Sequence, residues 1–333
     1  MPNRIPYAGV HKFSHHDSAL VHTELLCLFA APAHCAVPRP LSNPIVTMDP
    51  PSDLFSVAGK NCLVTGGSRG IGKMIALTFA RRGANVLIAS RSGDDCAETA
   101  EAITRECPDV RVLHQSADVG TREGCRALAE RARCAFGGRL DVLVNNAGTS
   151  WGEDPDYEHK TEEGGDGIAS EKANWGWDKV MDLNVKGVFY LTRECAPMLE
   201  RVSKSVDPGR VINVGSVAGV TPQGAPTHAY DVSKAAVHHL TRKLASDLAP
   251  RGITVNALAP GYVPSKMTRG LEAFGASLEN VADGVPMGRL GNEDDMGGAC
   301  VYLASAGGSW VTGTVLVVDG GAVGAMQVPL SSL

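Results

Sequence analysis

An α/β fold built on a doubly wound parallel sheet, a Rossmann-type single domain, is predicted by three features of the sequence. Short, continuous apolar runs alternate with segments of helical period from residue 60 onward. The first run ends in a glycine-rich turn, and small or polar residues follow several of the others. Unbroken apolar strands separated by helices mark a parallel sheet covered on both faces. Right-handed crossovers then wind such a sheet in both directions from its centre.

Each element has its own justification. Cys62-Leu63-Val64 is the first strand, and an apolar-periodic helix over 71–82 follows the glycine turn. The second strand is predicted over 86–89 with a helix over 95–106, and the third over 110–113 with a helix over 122–136. A fourth strand over 140–144 precedes an interruption, then one long helix over 177–199. Strands at 210–214, 253–258 and 315–318 complete the sheet. A helix running to about 248 carries Tyr230 and Lys234, and a helical excursion precedes the last strand. No second domain or internal repeat is needed.

Composition narrows the classes of function. The 333 residues are 44% hydrophobic and 20% charged, as in globular proteins, with a net charge of −5 that argues against a nucleic-acid partner. No apolar run reaches the ~18–20 residues of a membrane-spanning helix. The nine cysteines are scattered and odd in number, which fits core thiols in a reducing, cytoplasmic compartment. Residues 1–52 differ from the rest, with 8 of the 19 prolines and 5 of the 10 histidines and no hydrophobic period. They read as a disordered extension or a leader, organellar targeting being the alternative, with Met48 available as a second start. Residues 53–322 are then the catalytic domain and 323–333 a tail.

The chemistry begins at Thr65-Gly66-Gly67-Ser68-Arg69-Gly70-Ile71-Gly72. Glycine permits positive φ and close approach of a pyrophosphate, and the following helix presents its N-terminus to that anion. The second strand ends in Ser90-Arg91, where an acidic residue would suit a free ribose 2′-OH and arginine suits a 2′-phosphate. Arg69 supplies a second positive charge, and Asp94 and Asp95 read as caps of the next helix. NADP(H) is therefore expected over NAD(H). Asp118-Val119 and Asn145-Asn146-Ala147-Gly148 follow the third and fourth strands, at the edge where such sheets bind ligands.

Tyr230 and Lys234 stand one helical turn apart on one face. A free phenol has a pKa near ~10, and a neighbouring ammonium is expected to lower it into the range of proton transfer. Ser216, near the end of the fifth strand, could polarise a carbonyl toward Tyr230. It is not in a G-x-S-x-G elbow, which argues against a hydrolase. Asn184 is awkward in a helix interior and reads equally as locally satisfied or functional. His238 and His239, without a metal partner set, read as surface or packing residues. No metal site is expected.

Together the glycine turn, Asn145-Asn146-Ala147-Gly148, Ser216, Tyr230-x-x-x-Lys234 and Pro260-Gly261 resemble the short-chain dehydrogenase/reductase family. The resemblance covers about residues 53 to 322 and is greatest to 3-oxoacyl-ACP reductases of the rhamnolipid-synthesis type. It rests there on Gly148-Thr149-Ser150-Trp151-Gly152, Gly215-Ser216-Val217-Ala218-Gly219 and Pro286-Met287-Gly288-Arg289. It implies that Tyr230 is the general acid/base and that Lys234 lowers its pKa while binding the nicotinamide ribose. It implies that Ser216 holds the substrate oxygen and Asn184 a water that continues a proton relay through Lys234. It also implies cofactor contacts from Gly66, Ser68, Arg69, Gly70, Ile71, Gly72, Arg91, Asp118, Val119, Asn146, Gly148 and Val263, and a homotetramer or homodimer.

The chain departs from the family pattern in an acidic insertion over 153–172, a solvated loop bordering the active-site mouth. Residues 263–286, with Met267, Leu271 and Phe274, form the other substrate-facing segment, by resemblance a lid. The expected activity is NADPH-dependent reduction of a carbonyl to a secondary alcohol, foremost a 3-oxoacyl thioester. A broad carbonyl or alcohol oxidoreductase is the alternative enzyme. A non-catalytic NADP-binding regulator or scaffold is the alternative from another class, and an intact Ser216, Tyr230 and Lys234 weigh against it.

Overall fold

In the computed structural model, residues 53–152, 171–202, 205–265, 268 and 278–325 are described. The leader, the acidic residues 153–170 and Met267, Leu271 and Phe274 lie outside these residues, as does most of the C-terminal tail.

Seven parallel strands run β1 (Asn61–Thr65), β2 (Asn85–Ser90), β3 (Val112–Ser116), β4 (Val142–Asn145), β5 (Gly209–Val214), β6 (Ile253–Pro260) and β7 (Val315–Val318). Their order is β3-β2-β1-β4-β5-β6-β7. The strand order reverses between β1 and β4, which places the ligand crevice at their C-terminal ends. Side chains alternate as the pleat requires. Cys62 and Val64 enter one core with Ile75, Phe79 and Met296, while Leu63 enters the other with Leu128, Leu191 and Leu244. Helices α1 (Gly70–Arg81), α2 (Gly93–Glu106) and α8 (Glu293–Ala304) cover the first face. Helices α3 (Arg122–Ala135), α5 (Gly187–Leu199) and α6 (His228–Leu248) cover the second. Each fully buried Leu or Ile in these layers contributes about 2 kcal/mol.

Two expectations are corrected, for the third strand and the long helix, and the helical excursion is as expected. The third strand starts at Val112, two residues later than predicted, because as an edge strand it is only half-buried and Val110-Arg111 lacks a fully buried pattern. The long helix over 177–199 is broken: α4 (Glu171–Met181) passes through a π-helical turn, Asp182–Lys186, before α5 begins. The excursion before β7 resolves into α7 (Leu278–Asp283) and α8, of which α8 packs on α1 as part of the core. Of the seven described cysteines, six are buried and Cys134 is exposed.

The two ends of the sheet differ in character. At the N-terminal end Asp141, 4% exposed, accepts from the Asn61 backbone N–H and pairs with Arg201 at 2.6 Å. Arg210, 1% exposed, pairs with Asp207 and donates to the Ser305 carbonyl at 2.9 Å. This end is locked by paired charges. The C-terminal end is open.

Candidate active site

A cavity of about 840 Å³ lies along the C-terminal ends of the strands. With two exceptions, every residue predicted for cofactor or catalysis lines it: Gly66, Ser68, Arg69, Gly70, Ile71, Arg91, Asp118, Val119, Asn146, Gly148, Ser216, Tyr230, Lys234 and Val263. The exceptions are Gly72 and Asn184, which do not line the cavity and support residues that do.

The turn from β1 to α1 fits an anionic ligand. Gly66 has φ 65° and its N–H donates to the Ala89 carbonyl at 2.6 Å. A Cβ on Gly72 would stand 2.3 Å from the Gly66 carbonyl oxygen and 2.4 Å from Asn146 Nδ2, so the loop closes only over glycine there. Helix α1 has no acidic residue in its first turn and no side chain capping it, which leaves its N-terminal N–H groups available to the crevice. Arg69, which precedes that helix, and Arg91, which follows β2, are both exposed at its rim. Ser68 Oγ donates to Ser90 Oγ at 3.1 Å and ties the turn to the end of β2. The cap of α2 is Ser92, whose side chain accepts from the Asp95 N–H, while Asp94 and Asp95 sit in the first turn. Asp95 also lies 3.9 Å from Arg69.

Asn146 is spent on the protein. Its Nδ2 donates to the Thr65 carbonyl at 2.8 Å, and its own N–H and that of Ala147 both donate to Thr65 Oγ1 at 3.0 Å. Asp118 accepts from the Gly120 N–H, which fixes the turn after β3.

The reactive end is carried by β5 and α6. Ser216 leaves β5 as the cap of the short turn Val217–Gly219, its Oγ accepting from the Ala218 N–H at 3.1 Å. Tyr230 and Lys234 fall on one face of α6, with Lys234 Nζ 5.4 Å from the centre of the phenol ring. Lys234 is 5% exposed and donates to the Val214 carbonyl at 2.8 Å. Burial pushes its ammonium down to about 8. Burial holds the Tyr230 phenol above its usual value, a hydrogen bond with Ser216 pulls it back, and Asp231 adds to the rise. Lys234 Nζ is itself poorly solvated and drawn to the Val214 carbonyl.

Asn184 sits in the π turn and is 1% exposed. Its Nδ2 donates to the Thr149 carbonyl at 2.9 Å and to Ser233 Oγ at 3.0 Å, and its Oδ1 accepts from the Thr149 N–H at 2.9 Å. It thereby joins the loop after β4 to helix α6. A π turn at such a place is a recurrent mark of functional sites.

Thr65, Ser233 and Asp231 are supports that the sequence reading passed over. Asp231 accepts from Thr227 Oγ1 at 3.1 Å and from the Gln223 N–H at 3.3 Å, holding the segment between Ser216 and Tyr230. Their positions offered a signal: Thr65 opens the glycine turn, and Asp231 and Ser233 lie between Tyr230 and Lys234.

A family model described as enoyl-(acyl carrier protein) reductase matches residues 66–323. The chain belongs to the short-chain dehydrogenase/reductase family. It is 42% identical over 269 residues to the rhamnolipids biosynthesis 3-oxoacyl-[acyl-carrier-protein] reductase of Pseudomonas aeruginosa, covering 80% of this chain and 97% of that one. It is 36% identical to a galactitol 2-dehydrogenase of Rhizobium johnstonii, covering 80% and 96%. Among solved structures it superposes on the Pseudomonas aeruginosa RhlG/NADP active-site complex with a TM-score of 0.70 and 41% identity, covering 81% of this chain and 98% of that one. The family and fold expected from the motifs are thus established, and the chain is an oxidoreductase of this family.

Proposed function

We propose that this enzyme reduces the carbonyl of a 3-oxoacyl thioester to a secondary alcohol with NADPH. The observation that carries the reading is that Ser216, Tyr230 and Lys234 line the same cavity that the glycine turn opens, with Lys234 one turn behind Tyr230. The 42% identity to a 3-oxoacyl-[acyl-carrier-protein] reductase supports the substrate class, and the NADP complex of the structural relative supports the cofactor.

A bound nicotinamide supplies the hydride. The N-terminal N–H groups of α1 hold the pyrophosphate, and Arg69 and Arg91 take the 2′-phosphate. Ser216 orients the carbonyl oxygen by donating to it, and Tyr230 delivers the proton to that same oxygen. Because burial keeps the phenol protonated at pH 7, Tyr230 starts in the form a reduction requires. Lys234 binds the ribose and returns a proton toward Tyr230. Asn184 Oδ1 and Lys234 Nζ both approach Gly148, at 3.3 and 3.6 Å from where its Cβ would lie.

We further propose a cytoplasmic homotetramer. No helix among the described residues is long and apolar enough to cross a membrane. The exposed Trp310, before the last strand, and Val317, on it, give the sheet's open edge an apolar surface for a second copy.

The test is a steady-state panel of acetoacetyl and longer 3-oxoacyl thioesters, simple ketones and galactitol, with NADPH and NADH, or with NADP+ and NAD+ for the polyol. The thioesters with NADPH should give the highest kcat/KM. Arg91→Asp should move the cofactor preference toward NADH by about tenfold or more. Turnover of galactitol above all thioesters would replace this reading with a polyol dehydrogenase.

A further inference from the structure

Helix α6 carries a third side chain on the stripe that holds Tyr230 and Lys234. His238 follows Lys234 by four residues and lies one turn further along the same face. It is 4% exposed, whereas its neighbour His239 faces solvent. Its Nδ1 lies 3.2 Å from the Gly219 carbonyl oxygen, and its Nε2 is buried with no hydrogen-bond partner. A carbonyl only accepts, so the proton belongs on Nδ1. Burial, with Lys234 and Arg242 nearby, lowers the ring's pKa and keeps it neutral at pH 7.

The ring packs between this helix and the serine turn at Gly215. A Cβ at Gly215 would stand 2.2 Å from His238 Nε2, so glycine at 215 is required by the imidazole beneath it. Gly215 is in turn fixed to β6, its N–H donating to the Leu258 carbonyl at 2.7 Å. At the far end of the turn, a Cβ on Gly219 would meet the Lys234 carbonyl carbon at 2.5 Å. Ser216 therefore sits on a five-residue arch, Gly215 to Gly219. One end rests on Nε2 and Cδ2 of the His238 ring and the other accepts its N–H.

We infer that His238 is a positioning residue of this enzyme: its Nδ1–H bond to the Gly219 carbonyl sets the arch that aims the Ser216 hydroxyl at Tyr230. The inference rests on the roles given above to Ser216 and Tyr230. It goes beyond packing, because packing and donation make opposite demands of a substitute. Leucine fills much of the ring's volume and donates nothing. Asparagine fills less, but its Nδ2 is bonded to Cγ as Nδ1 is in histidine and can reach the same carbonyl.

The experiment compares His238→Asn, His238→Leu and His238→Met with wild type for kcat, for KM of NADPH and for the thermal midpoint. Positioning predicts that His238→Asn keeps kcat within about threefold, while the apolar variants lose about tenfold or more, the equivalent of one net hydrogen bond. KM for NADPH should stay within about twofold in all three, because the bond lies on the substrate side of the cavity. His238→Met guards against a leucine variant that does not fold. A kcat for either apolar variant equal to or above that of His238→Asn overturns the inference, as does a loss of about a hundredfold or more in His238→Asn itself. The parallel variant Tyr230→Phe separates the two layers. If it remains active, the roles of Ser216 and Tyr230 fail. If it is inactive while His238→Leu matches wild type, only the role of His238 fails.

Discussion

Lys234 shows how burial alone shifts the titration of one side chain of the site. Burial is the cause of its depressed pKa, about 8, and the Val214 carbonyl to which it donates is neutral. The ammonium is therefore present below about pH 8 and lost above it. If it binds the cofactor, kcat/KM for NADPH, which reports the free enzyme, should be flat below pH 8 and fall about tenfold per pH unit above it. A profile flat to pH 10 would contradict the role given to Lys234. At this scale the sequence was informative where chemistry is encoded by local spacing. Tyr230 and Lys234 four residues apart, and the glycines of the first turn, declare themselves without tertiary context. What spacing could not reveal was sign. Two groups four residues apart were expected to perturb each other, yet burial dominates both, and burial depends on strands far away in the chain. His238 was hidden for the same reason, since only β5 and its turn distinguish it from His239.

At the scale of elements, the π turn Asp182–Lys186 is the feature that periodicity did not show. An apolar pattern continued through it, and one helix was expected. The extra residue in the turn rotates Asn184 inward, where it meets both backbone groups of Thr149 and the hydroxyl of Ser233. An isosteric Asn184→Leu would leave both partly buried backbone groups of Thr149 unpaired, while Ser233 keeps its bond to the Tyr230 carbonyl. The substitution should cost about 3 kcal/mol in a denaturant melt and lower kcat as well. A loss below about 1 kcal/mol would mean that the loop after β4 does not depend on this link. The strands were easier to find. β1, β4, β5 and β6 are buried along their length, so continuous apolar runs mark them, whereas β3 is half-buried and its start was misplaced by two residues.

At the scale of the molecule, the sheet separates rigidity from reactivity. Paired charges close its N-terminal end through Asp141, Arg201, Arg210 and Asp207, and the cavity opens at the other end. That polarity follows from the parallel order and was legible in the strand–helix alternation. Surface function was less legible, because exposure cannot be read from an apolar residue's identity. Trp310 is 97% exposed beside the edge strand β7. If that edge is covered by a second copy, Trp310→Asp should reduce the sedimenting mass by at least half at equal concentration. An unchanged mass would show that the assembly uses another face.

The central claim is that Tyr230 gives the proton to the carbonyl oxygen that Ser216 holds. Removing the phenol oxygen alone tests it most directly. Tyr230→Phe should bind NADPH with nearly the wild-type Kd, read by nucleotide fluorescence, and lose about 10²–10⁴-fold in kcat for 3-oxoacyl thioester reduction. Tyr230→Phe turning over at the wild-type rate, with NADPH bound equally well, would contradict it.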